Sequence, residues 1–260
     1  MDFKDRTALI TGASGAIGKS IARNLANFGA RVFLTDLAPE SVVQSVGELV
    51  AAGYDAAGLA ADVTDEAQVE AVVSTAAAHF DNRIDVLVNV AGVAGQNPVE
   101  QITEREWDRV FAVNCKGSFF LIKHVVPLMK VRHYGRIVNF SSKSGKTGSA
   151  LCCHYSAAKG AIITLTQSLA FEFAKDGINV NCVCPGITEN TGVWNFMSAN
   201  YIENLKQERE QVVRQFTAKV PLGRLARVDD VVNVTLFLCS PGADYMTGQA
   251  INITGGREMH

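Results

Sequence analysis

The sequence has little that would direct the protein to a membrane, to nucleic acid or out of the cell. No apolar run is long enough to span a bilayer. The formal net charge is only -2, which gives no support for binding to polyanions. The first residues, MDFKDRTALITG, lack the basic and apolar regions of a secretory signal. We therefore expect a cytoplasmic globular protein.

The cysteines are not spaced to suit a metal. The six cysteines include no Cys-x-x-Cys pair, and no histidine cluster lies near them at zinc spacing. Cys182 and Cys184 stand two apart in INVNCVCPG, so they would share one face of a strand. We predict buried, reduced thiols and no bound metal.

Short strand-like runs alternate with longer helical segments along the chain. Such alternation produces βαβ units, which build a parallel sheet with helices on both faces. The pattern predicts one α/β domain over residues 1–260, with a Rossmann-type doubly wound parallel sheet. The predicted strands cover 7–12, 30–36, 56–62, 84–92, 135–142, 178–186 and 250–256.

Two helices can be bounded from the sequence. Thr103 and Glu106 have capping-box spacing, which predicts one long helix from there to about residue 130. A second helix is predicted from about Tyr155 to Asp176, before Gly177.

The strand–helix rhythm stops at about 187–228, where an insertion carries Trp194, Phe196 and Met197. This insertion follows the carboxyl end of a strand, and open α/β sheets bind their ligands at that edge. It is therefore a candidate substrate lid, although the aromatic residues would also suit simple packing onto the domain.

A glycine-rich turn, TGASGAIG (11–18), joins the first strand to the first helix. Glycines allow a tight turn, and the positive helix N-terminus attracts a pyrophosphate. Asp36 ends the second strand, where a carboxylate binds the ribose hydroxyls of NAD and repels the 2′-phosphate of NADP. The alternative for Asp36 is a solvated strand end. The predicted cofactor residues here are Gly12, Ser14, Gly15, Ala16, Ile17, Gly18, Asp36 and Leu37.

The next two strands also end in residues that suit a nucleotide. The carboxyl ends of parallel strands meet at one edge of the sheet, so these residues would face the same crevice. They are Asp62, Val63, Asn89, Val90, Ala91 and Gly92.

Tyr155 and Lys159 are four residues apart and so share one face of a helix. A phenol has a pKa near 10, and a neighbouring ammonium would lower the pKa of Tyr155 toward working pH. Ser142, at the end of a strand, would place its hydroxyl in the same crevice. The three side chains predict a general acid/base site.

In these motifs the chain resembles the short-chain dehydrogenase/reductase family over essentially its whole length. The resemblance rests on TGASGAIG, Asp36, the DV at 62–63, NVAG at 89–92, Asn114, Ser142, YSAAK at 155–159, PG at 185–186 and INITGG near the end. Two positions depart from the family pattern, Ala16 in the phosphate turn and Val90 in NVAG, and neither touches the reacting groups.

The resemblance implies an NAD-dependent oxidoreductase with four catalytic residues. Tyr155 would be the acid/base, Ser142 would orient the reacting oxygen, and Lys159 would bind the nicotinamide ribose and tune Tyr155. Asn114 would hold a water for proton relay. The nicotinamide would be bordered by Pro185, Gly186, Ile187 and Thr188.

Only short local motifs indicate the class of substrate. SSKSGKTGS, KVPLGR and the REMH tail resemble the polyol branch, glucitol-6-phosphate dehydrogenases in particular. Lys143, Lys146 and His154 are candidate contacts for substrate hydroxyls or a phosphate. The alternative is that both lysines are solvated. Trp194 would close over the substrate. The competing functions are a 3-oxoacyl thioester reductase and a nucleotide-sensing regulator without chemistry. The resemblance also implies a homotetramer.

Overall fold

The computed structural model describes residues 1–205 and 208–260. Seven parallel strands form one sheet in the order β3-β2-β1-β4-β5-β6-β7, which confirms the predicted fold class. The strands are β1 (Thr7–Thr11), β2 (Arg31–Thr35), β3 (Ala56–Gly58), β4 (Val86–Asn89), β5 (Gly135–Phe140), β6 (Ile178–Pro185) and β7 (Ala250–Ile253).

Helices cover both faces of the sheet because its strands are apolar on both faces. In β1, Leu9 packs into one hydrophobic cluster and its neighbour Ile10 into another. The helices are α1 (Ala16–Asn27), α2 (Pro39–Ala51), α3 (Glu66–His79), α4 (Glu104–Phe111), α5 (Gly117–Arg132), α6 (Lys143–Thr147), α7 (Cys153–Phe173), α8 (Gly192–Leu205), α9 (Arg209–Thr217) and α10 (Val228–Cys239). None of the described helices could cross a membrane.

The long helix predicted from Thr103 is not continuous. Thr103 caps α4 by accepting from the Glu106 backbone N–H at 3.2 Å, but a π-helical turn over Ala112–Lys116 separates α4 from α5. Within that turn the Asn114 amide donates to the Val110 carbonyl at 2.8 Å. A side chain that competes for a helix carbonyl in this way favours a bulge.

Other boundaries differ less. The third strand is only three residues long, and α7 begins at Cys153 and is followed by a short 3-10 turn over Ala174–Asp176. The residues after Ser142 form the short helix α6.

The described parts of the insertion, 187–205 and 208–228, contain helices α8 and α9 on the carboxyl side of the sheet. An isolated parallel bridge joins Thr188 to Ala226 at its base. Trp194 of α8 packs edge-on against Phe216 of α9, with ring centroids 5.8 Å apart. The insertion therefore has a small apolar core of its own, which includes Val212 and Leu225.

The cysteines are partly as predicted. All six are free thiols, and Cys182 and Cys184 are buried together beside Ile162. Cys153 is exposed and Cys115 is only partly buried, so the prediction of uniformly buried thiols is wrong. Cys153 lies in the first turn of α7, between the buried Cys152 and His154. Within residues 1–205 and 208–260, no group of three candidate side chains is placed to hold a metal.

Candidate active site

A cavity of about 740 Å³ opens at the carboxyl edge of the sheet, beyond the ends of β1, β4, β5 and β6. Most of the predicted site residues line it together, although they come from nine separate stretches of the chain. They are Gly12, Gly15, Ala16, Ile17, Gly18, Asp36, Leu37, Asp62, Val63, Val90, Ala91, Gly92, Asn114, Ser142, Lys143, Tyr155, Lys159, Pro185, Gly186, Ile187, Thr188 and Trp194.

The glycine-rich turn brings α1 against this cavity. Gly12 has φ +60°, and a Cβ there would lie 2.8 Å from the Ala91 backbone nitrogen, so the position requires glycine. Gly15 caps α1, but no side chain bonds to the cap, and the first turn carries no acidic residue. The free N–H groups at this helix start therefore suit an anionic group.

The Asp36 carboxylate is held at the cavity wall by two backbone amides. Its Oδ2 accepts from the Ser14 N–H at 2.9 Å and its Oδ1 from the Leu37 N–H at 2.7 Å. Each oxygen keeps a lone pair that a ribose hydroxyl could use. The Ser14 hydroxyl is buried and has no hydrogen-bond partner among the described residues. An open helix start, a fixed carboxylate and an unpartnered hydroxyl together fit a nicotinamide dinucleotide.

Asp62 and Asn89 are placed differently from one another. Asp62 lines the cavity and its carboxylate holds the Thr64 backbone N–H at 2.8 Å. Asn89 is buried beneath the cavity and its amide donates to Asn139 at 2.9 Å, which continues to Thr166. The Asn89 side chain does not line the cavity, and its amide ties β4 to β5.

Ser142, Tyr155 and Lys159 meet at one wall. Ser142 begins α6 by accepting from the Ser144 N–H at 3.1 Å, and its hydroxyl also hydrogen-bonds Tyr155. The Lys159 ammonium donates to the Phe140 carbonyl at 2.8 Å and lies 5.8 Å from the Tyr155 ring centroid. The end of β5 and the first turns of α7 thus place the three groups side by side.

The electrostatics of this wall differ from the expectation. Burial raises the pKa of Tyr155 to about 12, while its hydrogen bond with Ser142 acts in the opposite direction. Burial also lowers the pKa of Lys159 to about 8. The predicted lowering of the phenol pKa by the ammonium is therefore not found, because burial dominates at Tyr155 and Lys159 is not among the groups that shift its pKa.

Asn114 lies next to Lys159 across Gly92. A Cβ on Gly92 would lie 2.8 Å from the Asn114 amide oxygen and 3.2 Å from the Lys159 ammonium. The Asn114 amide nitrogen donates to the Val93 and Val110 carbonyls, so its orientation is fixed. Its oxygen is buried and lacks a partner among the described residues, as expected where a bound water is needed.

The predicted substrate residues divide into two groups. Lys143 and Trp194 line the cavity, and the Lys143 ammonium donates to Ser149 at 2.8 Å. His154 has no exposed surface and its Nε2 pairs with Glu106 at 3.2 Å, outside the cavity lining. The proposed substrate contact by His154 is therefore not supported, because α7 turns this side chain toward α4.

Comparison with known proteins places this geometry in a family. A family model described as enoyl-(acyl carrier protein) reductase matches residues 12–258. Galactitol 2-dehydrogenase of Agrobacterium fabrum (strain C58) is 38% identical over 263 residues, with both chains fully covered. The chain belongs to the short-chain dehydrogenase/reductase family. It is an oxidoreductase that acts on alcohol groups.

Two solved structures of the family have the same fold over nearly the whole chain. An NAD+-bound xylitol dehydrogenase has TM-score 0.94 and 31% identity, covering 98% of this chain and 100% of its own. An actinorhodin polyketide ketoreductase with NADPH has TM-score 0.94 and 35% identity, with full coverage of both chains. The family thus includes a sugar-alcohol dehydrogenase and a polyketide reductase that resemble this protein to a similar degree, with 31% and 35% sequence identity.

Sequence reasoning missed several residues that line the cavity of this short-chain dehydrogenase. Arg109 of α4 and Ser149, which binds Lys143, both face it, as does Phe216 of α9. The available signal for Arg109 was a charged residue five positions before Asn114. Phe216 carried no signal, because the fold of the insertion decides which of its faces meets the site.

The shifted pKa of Lys159 makes a prediction about stability. The pKa is lower in the folded protein than the ordinary 10.5, so the unfolded chain binds more protons between pH 8 and 10.5. The free energy of unfolding of the cofactor-free protein should therefore rise with pH across this window, by roughly 2–3 kcal/mol from this group. The measurement is denaturant unfolding at pH 7 to 10 for wild type and Lys159→Met. If the free energy of unfolding changed with pH equally in the two proteins, the lowered pKa of the buried Lys159 would be contradicted.

Proposed function

We propose that the protein is an NAD-dependent polyol dehydrogenase, which oxidises a secondary hydroxyl of a sugar alcohol to the ketose. The observation that carries the proposal is the meeting of Ser142, Tyr155 and Lys159 on one wall of a cavity that also carries the Asp36 carboxylate. The similarity to galactitol 2-dehydrogenase and xylitol dehydrogenase supports the substrate class.

In this proposal the residues of the wall handle the proton. Bound nicotinamide would supply the acceptor for hydride. Ser142 donates or accepts a hydrogen bond at the reacting oxygen and fixes its orientation. Tyr155 takes the hydroxyl proton during oxidation and returns it during reduction. Because burial raises the pKa of Tyr155 to about 12, oxidation should be fastest at alkaline pH.

Asn114 and Lys159 form the next part of the proton path. The fixed Asn114 oxygen and the Lys159 ammonium border the same small space beside Gly92. A water held there would carry the proton from the wall toward solvent. Asn114 therefore positions this water and does not touch the substrate.

The choice of NAD rests on charge. Asp36 is fixed by the Ser14 and Leu37 amides where ribose hydroxyls would reach it, and a 2′-phosphate there would meet a carboxylate. Leu37 is exposed and offers no positive charge to offset that repulsion. The pyrophosphate would be held by the turn from Gly12 to Gly18.

We propose a lid role for residues 187–228 and a homotetrameric, cytoplasmic protein. Trp194 packs on Phe216 and both line the cavity, so movement of α8 and α9 would open or close it. Phe171 of α7 is 89% exposed and Phe119 of α5 is 46% exposed. Apolar rings exposed on these two long helices suit packing between subunits.

A 3-oxoacyl thioester reductase is the second candidate. It is favoured by the similarity to the actinorhodin ketoreductase with NADPH, and opposed by Asp36. A nucleotide-sensing protein without chemistry would have no use for the complete set of Ser142, Tyr155, Lys159 and Asn114.

The test is NADH formation at alkaline pH with glucitol, galactitol, ribitol, xylitol and their phosphates, alongside a simple diol. NAD and NADP are compared for each. Turnover of a polyol with NAD is the expected result. Consumption of NADPH on an acetoacetyl thioester, with no polyol turned over, would overturn both the substrate class and the argument from Asp36.

A further inference from the structure

Three cationic side chains line the cavity, and only one of them has its charged group unoccupied. The Lys143 ammonium donates to the Ser149 hydroxyl and the Lys159 ammonium to the Phe140 carbonyl, each at 2.8 Å. The third cation, Arg109, is exposed. Its guanidinium makes no hydrogen bond, ion pair or ring contact within the part of the chain that the structure describes. Its five N–H donors and its flat face therefore remain available to a ligand.

One row of side chains on α4 and the π-helical turn faces the catalytic wall. It contains Val110 and Asn114, which are four residues apart and so share a face of the helix. Val110 packs in one buried cluster with Tyr155. A Cβ on Gly92 would lie 2.8 Å from the Asn114 amide oxygen. This row therefore belongs to the reacting end of the cavity.

The neighbouring row faces the segment that follows β3. It contains Arg109, Val113 and Gly117, which again follow one another four residues apart. Gly117 lies directly against Val63, since a Cβ on this glycine would come within 2.8 Å of the valine Cγ2. Arg109, Val113 and Val63 all line the cavity. Arg109 is therefore directed to the Val63 end of the cavity and not to the catalytic wall.

This end of the cavity is next to Asp36 and carries more negative than positive charge. The Ala61 N–H donates to the Asp36 carbonyl at 2.9 Å, so Asp62 is a close neighbour of the carboxylate proposed to bind the ribose. Both carboxylates line the cavity, together with the single guanidinium of Arg109. A net negative charge disfavours a further anion such as a phosphate. A neutral group that extends from the ribose is the ligand that fits.

We propose that Arg109 is a cofactor-binding residue whose guanidinium stacks on the adenine ring of the nicotinamide dinucleotide. The inference rests on the proposed function, because it requires that cofactor in the cavity. Adenine is the neutral, planar group attached to the ribose, and the valines Val63 and Val113 offer apolar surface to such a ring. Guanidinium groups stack on aromatic faces, which attract their charge. No motif of the nucleotide site contains Arg109, because it lies on a helix that follows the fourth strand.

The binding test is fluorescence titration of NADH, followed by displacement of the bound NADH with AMP, which carries the adenine and its ribose but no nicotinamide. Arg109→Met should raise the dissociation constants of NADH and AMP by the same factor, about fivefold, because both lose one stacking contact. Arg109→Lys keeps the charge without the plane, so it should show a similar loss. Arg105→Met is the matched control, since Arg105 is exposed one turn earlier on α4 and does not line the cavity. It should leave both constants unchanged.

Two results would overturn the adenine contact. If Arg109→Lys bound NADH as tightly as wild type, a point charge would suffice and stacking would be wrong. If Arg109→Met weakened the binding of NADPH but not that of NADH, the guanidinium would bind a 2′-phosphate instead.

The same titrations separate this contact from the proposed function. A fivefold loss of affinity for both NADH and AMP supports the contact even if no polyol is turned over and the substrate class fails. Turnover of a polyol with NAD, with neither affinity changed in Arg109→Met, would overturn the contact and leave the proposed function standing.

Discussion

Replacement of Tyr155 by phenylalanine should lower kcat for alcohol oxidation about a thousandfold or more, while NADH binding changes little. The substitution removes only the phenolic oxygen, which we propose as the group that takes the proton, and such proton transfer contributes about 10²–10⁴-fold. The ring itself is buried against Val110, Cys152 and Ala158, and phenylalanine keeps that packing. Initial rates at saturating NAD and polyol, with fluorescence titration of NADH, measure both quantities.

A matched control uses the tyrosine at the opposite edge of the sheet. Tyr134 precedes β5 and packs between Arg6 and Arg136, away from the cavity. Tyr134→Phe should leave kcat within a small factor of wild type. If Tyr155→Phe retained a tenth of the wild-type rate, the proton would have another route and the assigned role of Tyr155 would be wrong.

The fold could be predicted from sequence because strands alternate with helices and the central strands are apolar on both faces. Leu9 and Ile10 face opposite clusters, as only a strand covered on both sides requires. The break between α4 and α5 could not be predicted, since it depends on Asn114 bonding a carbonyl in its own helix and another on Val93. Local pattern cannot distinguish that arrangement from a continuous helix.

The site was predictable where residues follow strand ends. Gly12, Asp36 and Ser142 face the cavity because parallel strands end at one edge. The direction of the Tyr155 pKa was not predictable, because the burial of two neighbouring groups decides it and sequence gives only their spacing. The approach of Arg257 to Phe216 joins segments about 40 residues apart through tertiary packing, so no motif contains it.

Replacement of Asp36 by asparagine should lower the preference for NAD over NADP, measured as the ratio of kcat/KM values, roughly 100-fold. The change removes the negative charge that would repel a 2′-phosphate and weakens the bonds to the ribose hydroxyls. It has a second effect on the turn. The carboxylate accepts from both the Ser14 and Leu37 amides, whereas an asparagine has one oxygen and one donor nitrogen and can accept at only one end.

Because Asp36→Asn also loosens the turn, Asp36→Ala is measured beside it. Asp229→Asn, at an exposed position in the first turn of α10, serves as the neutralised control. If charge decides the cofactor, both Asp36 variants gain activity with NADP while the control retains the wild-type ratio. If both variants lost activity with NAD and NADP equally, Asp36 would act only by holding the turn that contains Ser14. In that case the cofactor preference would have to come from another charge in the cavity, and Arg109, which lines it, is the residue to change next.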